Sequence, residues 1–434
     1  MWFSASTKHF VGMNRLGKLV KIINLGDQYI LHHDYALDSD GNIVSLATDL
    51  KHSDHAVQDQ VIKVDTDSGE VSLLVDFGTN NSRIEGRPRR EIFDLIISDL
   101  STIECKNLLL THFHMDHLSG LLYMMKNKDS SFDFGKIYLP DVFSEEKMSR
   151  TLVLLLLADL VKDSCLPSRQ VSLFALVDAL LERQTQTVEL LSRGKIFEEK
   201  YQALWPDAYV TQRETNEVYD LLKEKFPEIM DVLLDFAEKL RQIIWSMTDE
   251  GKVLLENNQK NIRAYVYERE FRRIKALPEF KELLTWLNRN QVNLRQFKHK
   301  ISIVFQNARD GELNLLFTGD VQPEHMQMIA DNYDGKWPLY EHYWCIKVPH
   351  HGTQDHYFNF SGYEPENMMI SNGIHFANSK TQSRELRTSP LYGGLFYIPD
   401  THMYCSNCDC CDCYENGCSC KEADVISPSY YKDI

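Results

Sequence analysis

The most constraining feature of this chain is a group of three histidines and one aspartate within six residues. The group directly follows Leu108–Leu110, an apolar run that predicts a buried β-strand. A strand that ends in a tight loop can turn alternate side chains into one cavity. His112 and His114 would then point at one metal ion, and Asp116 and His117 at a second. Imidazole and carboxylate are ligands that zinc accepts readily, so the motif predicts a metal centre rather than a histidine-rich surface loop.

Three further segments appear in an order that suits the same centre. Val71–Gly78 reads VSLLVDFG, Leu315–Asp320 reads LLFTGD, and Ile346–Thr353 reads IKVPHHGT. Together with His-x-His-x-Asp-His, these segments resemble the metallo-β-lactamase-fold hydrolases over about residues 18–140 and 296–400. The resemblance implies an α/β fold, namely an αββα metallo-β-lactamase sandwich with a large all-α insertion and a small Cys-rich C-terminal element.

The resemblance also implies a ligand set for two divalent ions, zinc first and manganese as the alternative. One aspartate would bridge the ions, and one member of the His-His pair would complete the second ion. We favour His351 as that ligand, with His350 facing the substrate as a catalytic residue beside Asp116. The ligands implied so far are His112, His114, Asp116, His117, Asp320 and His351.

The seventh ligand is where the chain departs from the pattern. The family usually supplies another histidine soon after the first motif, and here that interval is occupied by the insertion. His299 is the best candidate, because it precedes Asp320 by a distance that suits one hairpin. The alternative is a basic surface residue between Lys298 and Lys300. Asp76 is either a group that orients a ligand histidine or a plain turn aspartate, and His342 and His356 are expected at the surface.

Length and composition are typical of a soluble globular protein. The chain has 434 residues, of which 43% are hydrophobic and 25% charged. The pattern predicts four segments: 1–143 and 298–402 as the two halves of the metal-binding fold, 144–297 as helices, and 403–434 as a tail. The helices can be an independent core, a lid, a partner surface or a dimerisation element. Because no long apolar span or secretory signal is evident, we expect a cytoplasmic protein without a membrane partner.

The charge distribution allows two interpretations. A net charge of −16 argues against general attraction to nucleic acid or anionic lipid. Residues 261–300 reverse the sign, with ten basic and four acidic side chains. This segment either steers a phosphate backbone or forms a solvated helix face with acidic neighbours elsewhere.

Seven of the ten cysteines are concentrated near the C-terminus. Their density favours a structural zinc, with reduced thiols and redox chemistry as alternatives. These candidate ligands are Cys405, Cys408, Cys410, Cys411, Cys413, Cys418 and Cys420.

The resemblance implies a phosphodiesterase that uses metal-activated hydroxide, plausibly a cytoplasmic nuclease acting in antiviral defence. The segments around Asp320 and His350 are most similar to those of the branch with competence proteins and phosphorylcholine esterases. One alternative is a thioester or other carbonyl hydrolase at the same site. Another is a non-catalytic interaction module in a larger complex, with a protein partner on the helices or a homo-oligomer.

Overall fold

The computed structural model describes most of the region between residues 73 and 370, together with strands on either side of it. The described residues are 2–6, 9–13, 19–24, 29–37, 43–49, 59–64, 73–79, 83–84, 87–102, 107–126, 132–161, 172–183, 187–255, 264–290, 294, 296–311, 313–370 and 402–405.

These residues form a mixed α/β structure, which confirms the predicted class. The strands are β1 (Trp2–Ser6), β2 (His9–Met13), β3 (Leu19–Asn24), β4 (Tyr29–Leu37), β5 (Ile43–Asp49), β6 (Asp59–Val64), β7 (Leu73–Val75), β8 (Arg83–Ile84), β9 (Arg87–Pro88), β10 (Asn107–Leu109), β11 (Lys136–Pro140), β12 (Thr187–Leu191), β13 (Ile196–Phe197), β14 (Tyr201–Trp205), β15 (Val304–Asn307), β16 (Leu315–Phe317), β17 (Tyr343–Lys347), β18 (Pro365–Ile370) and β19 (His402–Cys405). The helices are α1 (Arg89–Thr102), α2 (Met115–Lys126), α3 (Ser149–Ala158), α4 (Ser172–Arg183), α5 (Ala208–Lys225), α6 (Pro227–Trp245), α7 (Asp249–Leu255), α8 (Ala264–Ala276), α9 (Pro278–Arg289), α10 (Gln296–Lys300) and α11 (Pro323–Ala330). Among these helices, none has both the length and the apolar character needed to cross a membrane.

Two sheets position the residues of interest. A four-stranded parallel sheet has the order β12-β11-β10-β7. A seven-stranded sheet has the order β13-β14-β15-β16-β17-β18-β19, antiparallel up to β16 and parallel from there on. The carboxyl ends of β10, β16 and β17 lead into the three histidine and aspartate segments, as parallel strands of α/β proteins commonly do for their sites.

Alternate residues of the strands divide the core into clusters. In β10, Leu108 belongs to the largest cluster, which the helices dominate, whereas Leu109 packs in a smaller cluster with Phe305 of β15. Because successive side chains of a strand point to opposite faces, Leu109 and Phe305 fill the space between the two sheets. Leu316 and Ile346 join a third cluster that includes Met326 of α11.

Strands β1–β3 and β4–β6 form two separate three-stranded antiparallel sheets. The sequence predicts a hairpin across Val61–Asp76, and this pairing is wrong. Strand β6 pairs with β5, whereas β7 pairs in parallel with β10. Both pairings satisfy the backbone hydrogen bonds of the strands concerned, so the turn residues between β6 and β7 do not by themselves determine which strands pair.

The segment predicted to be all-α contains three strands, which corrects that part of the fold prediction. Strand β12 extends the four-stranded sheet and β14 the seven-stranded one. All five residues of β14 are buried, and an apolar run of this length fits a central strand as well as a helix. The remaining helices share one core cluster with α1 and α2, through residues such as Ile96 and Leu240. The predicted break at Pro227 is confirmed, since α6 begins at this residue.

Candidate metal centre

The first histidine segment is held between β10 and α2. The backbone N–H of Asp76 donates to Leu109 O at 2.8 Å, and the backbone N–H of Thr111 donates to Asp76 Oδ1 at 2.8 Å. His117 N donates to His114 O at 3.1 Å as α2 begins. The loop is therefore fixed from both ends before any side chain contributes.

Asp320 is positioned by a turn that requires glycine. Gly319 has a φ of +49°, and a Cβ on it would lie 2.4 Å from Ser302 Oγ and 2.8 Å from Ile303 O. This close approach lets the N–H of Asp320 donate to Ser302 Oγ at 2.8 Å. Asp320 itself is 2% exposed, so its carboxylate needs cationic or hydrogen-bonding neighbours.

His350 is held in an unusual backbone conformation beside that turn. Its φ is +41°, in the left-handed region that non-glycine residues rarely adopt. Its N–H donates to Gly319 O at 3.1 Å. Such strain persists where the surroundings impose it, and here it brings the imidazole to Asp320.

Four imidazoles surround one carboxylate oxygen. The distances from Asp320 Oδ2 are 3.3 Å to His117 Nε2, 3.5 Å to His112 Nε2, and 3.9 Å to Nε2 of both His299 and His350. A fifth imidazole is adjacent, because His114 Nδ1 lies 2.8 Å from His112 Nε2. One ligand atom from each of His112, His114, His299 and Asp320 lies within 4.8 Å of the others, as a single cation would require.

Two of these histidines have the tautomer that a metal needs. The hydroxyl of Thr111 donates to Asp76 Oδ2 at 2.9 Å, so its oxygen accepts from His112 Nδ1 at 3.1 Å. Asp76 Oδ2 also accepts from His117 Nδ1 at 2.8 Å. With the proton on Nδ1, neutral His112 presents the lone pair of Nε2 to a cation held beside Asp320, and His117 would do the same once its Nε2 proton is lost.

A second arrangement of the same kind orients the other two histidines. His356 Nδ1 donates to Asp355 Oδ1 at 3.0 Å, which leaves His356 Nε2 to accept from His299 Nδ1 at 3.2 Å. Thr353 Oγ1 donates to Asp355 Oδ1 at 2.6 Å and accepts from His350 Nδ1 at 3.0 Å. A threonine–aspartate pair therefore lies behind the ligand histidines on both sides. His299 Nε2 is buried and has no hydrogen-bond partner among the described residues, as a ligand atom would in the absence of its cation.

The electrostatics suit a divalent cation. Burial and the neighbouring histidines lower the pKa values of His112, His114 and His299 well below the usual range, so these rings are neutral. Burial opposes ionisation of Asp320, but the surrounding histidines hold its pKa well below the ordinary value. Burial also disfavours the charged form of His117, yet Asp76 and Asp320 together raise its pKa well above 6.5. Neutral imidazoles with a carboxylate form the donor set that zinc prefers.

The structure brings together most of the residues predicted as active-site ligands. His112, His114, His117, His299 and Asp320 converge, and His299 comes from α10 rather than from a hairpin. The remaining predicted residues fall into three groups. Asp116 is the second residue of α2 and is half-buried. His350, predicted to face the substrate, has its Nε2 3.9 Å from Asp320 Oδ2. The side chains of His351 and Cys405, and all the cysteines from Cys408 to Cys420, lie outside the described part of the chain.

His356 corrects the expectation of a surface histidine, because it is 2% exposed and bridges His350 and His299. His342 does fit that expectation: its side chain is 36% exposed and its Nε2 lies 2.9 Å from Glu366 Oε1. The sequence analysis also missed Gln322, whose amide nitrogen lies 3.2 Å from both His299 and His356.

The basic segment has a mixed outcome. Lys298 is buried against Asp159, and Lys300 Nζ donates to Glu214 at 2.6 Å. The cations on α8 and α9 are exposed, as both interpretations of this segment require. These exposed residues are Arg269, Arg272, Arg273, Lys275, Lys281 and Arg289.

Comparison with known families gives a different answer from the sequence motifs. Residues 1–80 match the family model of arylsulfotransferase (ASST). No curated protein matches the chain. The match covers 80 of the 434 residues and ends just after Asp76, which contacts the centre.

This finding corrects the family and the function that the motifs implied. No metallo-β-lactamase family model matches, and the model that does match describes a transferase, so the predicted family and the predicted phosphodiesterase, nuclease and thioester hydrolase activities are wrong. The match agrees with an enzyme in general and not with a hydrolase. The physical reason is that ligand histidines determine which cation binds, whereas the group that the cation polarises depends on other parts of the site.

Proposed function

We propose that this protein is a metal-dependent enzyme that transfers sulfuryl groups from a sulfate ester to an acceptor hydroxyl. The observation that carries the metal centre is the convergence of five imidazoles on Asp320, with His299 Nε2 buried and lacking a hydrogen-bond partner. The sulfuryl group is supported by the arylsulfotransferase match over residues 1–80.

The residues divide into two ligand sets that share Asp320. His112, His114 and His299 would hold one divalent ion, and His117 and His350 a second. When bound, such ions neutralise charge on the oxygens of the attacked group. Zinc suits these donors, and manganese is the alternative. The predicted ligand role of Asp116 belongs to the second set.

The protein residues contribute orientation and charge. Asp76 accepts from His117 Nδ1, and Asp355 acts on His299 through His356, so these hydrogen bonds fix ring orientations in which Nε2 faces Asp320. Burial lowers the pKa of Lys347. The nearby carboxylates of Asp320 and Asp76 oppose this shift without outweighing it. A buried cation here would attract the anionic sulfate ester.

We also propose that the two large sheets are the middle layers of an αββα sandwich. The cluster between them contains residues of β10 and β15, and helices contribute to the clusters on the outer faces. This layering places the ligand loops together at one edge of both sheets.

The experiment combines metal analysis with a transfer assay. Full-length protein is incubated with 4-nitrophenyl sulfate and phenol, and phenyl sulfate is measured by mass spectrometry. We expect His114→Ala and Asp320→Asn to lose bound metal and transfer together, while His342→Ala, a solvent-accessible histidine outside the centre, retains both.

Two results would contradict the proposal at different points. Wild-type protein without bound divalent metal would refute the centre itself. Metal bound as expected but no phenyl sulfate formed would refute the sulfuryl substrate and leave the centre standing. A Cys408→Ser variant tests the predicted structural zinc in the tail, and it should lose a separate share of metal and keep transfer.

A further inference from the structure

A groove of about 510 Å³ lies between the first turn of α1 and one face of α2. The residues of α2 that line the groove recur at helical spacing. The first of them is Met115, which lies between the candidate ligands His114 and Asp116 in the sequence. The groove therefore starts at the metal-binding loop and extends away along α2. The lining residues are Pro88, Arg89, Arg90, Phe93, Met115, Ser119, Leu122, Tyr123 and Lys126.

The charge on this lining has one sign. Arg89, Arg90 and Lys126 are cationic, and none of the described lining residues is acidic. In a chain of net charge −16, such a local reversal concentrates anions that the rest of the surface repels. The positive end of the α1 dipole lies at the same place, because Arg89 and Arg90 are its first two residues.

The other walls are apolar and partly aromatic. Phe93 and Leu122 are buried and form the floor, and Arg89 lies 5.9 Å from the centre of the Phe93 ring. The hydroxyl of Tyr123 donates to Asp94 Oδ1 at 2.7 Å, so the polar end of this side chain is hydrogen-bonded while the residue lines the groove. Arg89 is anchored by donation to Thr79 O at 3.1 Å.

A cationic rim over an aromatic floor recognises a flat apolar body that carries a negative charge. We propose that this groove binds aromatic anions and is the subsite for the donor's aryl group next to the metal centre. The assignment of the groove to the donor's aryl group rests on the proposed sulfuryl transfer. The binding of an aromatic anion in the groove does not.

The probe is 2-naphthalenesulfonate, which contains no ester bond and so requires no turnover. Binding to the full-length, zinc-loaded protein is measured by calorimetry, with neutral N,N-dimethyl-2-naphthalenesulfonamide, which has no acidic N–H to bind zinc, as the matched ligand. Arg90→Glu and Lys126→Glu reverse exposed charges on the rim, and Lys281→Glu reverses an exposed charge on α9 as the matched control. Each rim variant should weaken sulfonate binding about fivefold or more, because reversal replaces an attraction by a repulsion at short range. The control should bind within about twofold of wild type.

Three results would overturn the groove: no saturable binding of the sulfonate, equal binding by rim and control variants, or equal binding of the neutral sulfonamide. His114→Ala separates the two proposals, since it should lose transfer yet still bind the sulfonate, and the rim variants should weaken that binding further in the same background. In the transfer assay the rim variants should raise KM for 4-nitrophenyl sulfate by the same factor and keep kcat. An unchanged KM would overturn the subsite while leaving transfer intact.

Discussion

The most informative prediction concerns His356, which is buried and contacts two candidate ligand histidines without reaching Asp320. Leucine at this position has a similar volume but no polar atoms, so His356→Leu removes the acceptor of the His299 Nδ1 proton. Removal of a group that orients a ligand histidine typically costs 10- to 100-fold in metal affinity. We expect a loss of that size, or about 1.4–2.7 kcal/mol of binding free energy.

Two conservative variants of His356 sharpen the test. A glutamine amide extends towards the position of Nε2 and can accept from His299, whereas an asparagine amide occupies the position of Nδ1 near Asp355 and His350. His356→Gln should therefore retain more zinc affinity at the His299 site than His356→Asn does. Affinities come from competition with a chromogenic chelator, and thermal melts confirm that each variant is folded. His342→Leu serves as the matched control and should bind zinc as tightly as wild type.

The reasoning would be refuted by a folded His356→Leu protein that binds zinc with wild-type affinity while His299→Ala does not. In that case the packing of α10 would orient the ring of His299, and the hydrogen bonds from Asp355 through His356 to His299 would have no effect on metal affinity.

Three further predictions concern stability. Gly319→Ala should lower the free energy of unfolding by about 2–4 kcal/mol, because a residue with a Cβ is strained at this positive φ and the Cβ also meets Ile303 O. The control Gly311→Ala has open space around the added Cβ and should change the free energy of unfolding by less than about 0.5 kcal/mol. Glu238 has its pKa lowered from 4.5 to about 2, since the hydrogen bonds from its neighbours outweigh its burial. Its stabilising contribution, up to about 3 kcal/mol, is present above pH 4.5 and lost as pH falls towards 2, so Glu238→Gln should flatten urea-measured stability across that window. Lys298→Met should cost about 3–5 kcal/mol by leaving Asp159 buried without its cation, and an added Asp159→Asn should recover part of that loss; no recovery would contradict the ion-pair explanation.

The candidate ligand residues could be found from sequence because each strand-end motif carries its own geometry. A short apolar run followed by alternating histidines predicts both the strand and the direction of its side chains, and His112 Nε2 lies 3.5 Å from Asp320 Oδ2. His356 could not be found in this way. It follows His350 by six residues in a stretch of two short 3-10 turns with no longer periodicity, where His350 has a positive φ and the Nδ1 atoms of the two rings lie 2.8 Å apart.

The strands within the predicted helical segment show a second limit. Residues 187–191 alternate half-buried and buried positions over only four residues, a pattern too short to separate a strand from the end of a helix. A non-local contact determines that these residues form a strand. The edge of β11 would otherwise be unpaired, and five residues of β12 pair with it in parallel register. Local propensity carries no information about such an edge.

His299 differs from the other ligands in a way that makes the helices part of the centre. It comes from α10, whereas the other ligands follow strand ends. Its neighbour Lys298 turns into the core and donates to Phe113 O at 3.1 Å, between His112 and His114 in the chain. The same ammonium is held by Asp159 at the end of α3 and by Ser172 at the start of α4. One buried charge therefore fixes the distance between His299 and the first histidine loop, and the helices supply the groups that fix that charge. A displacement of α3 or α4 would accordingly move one ligand of the proposed ion relative to the other three.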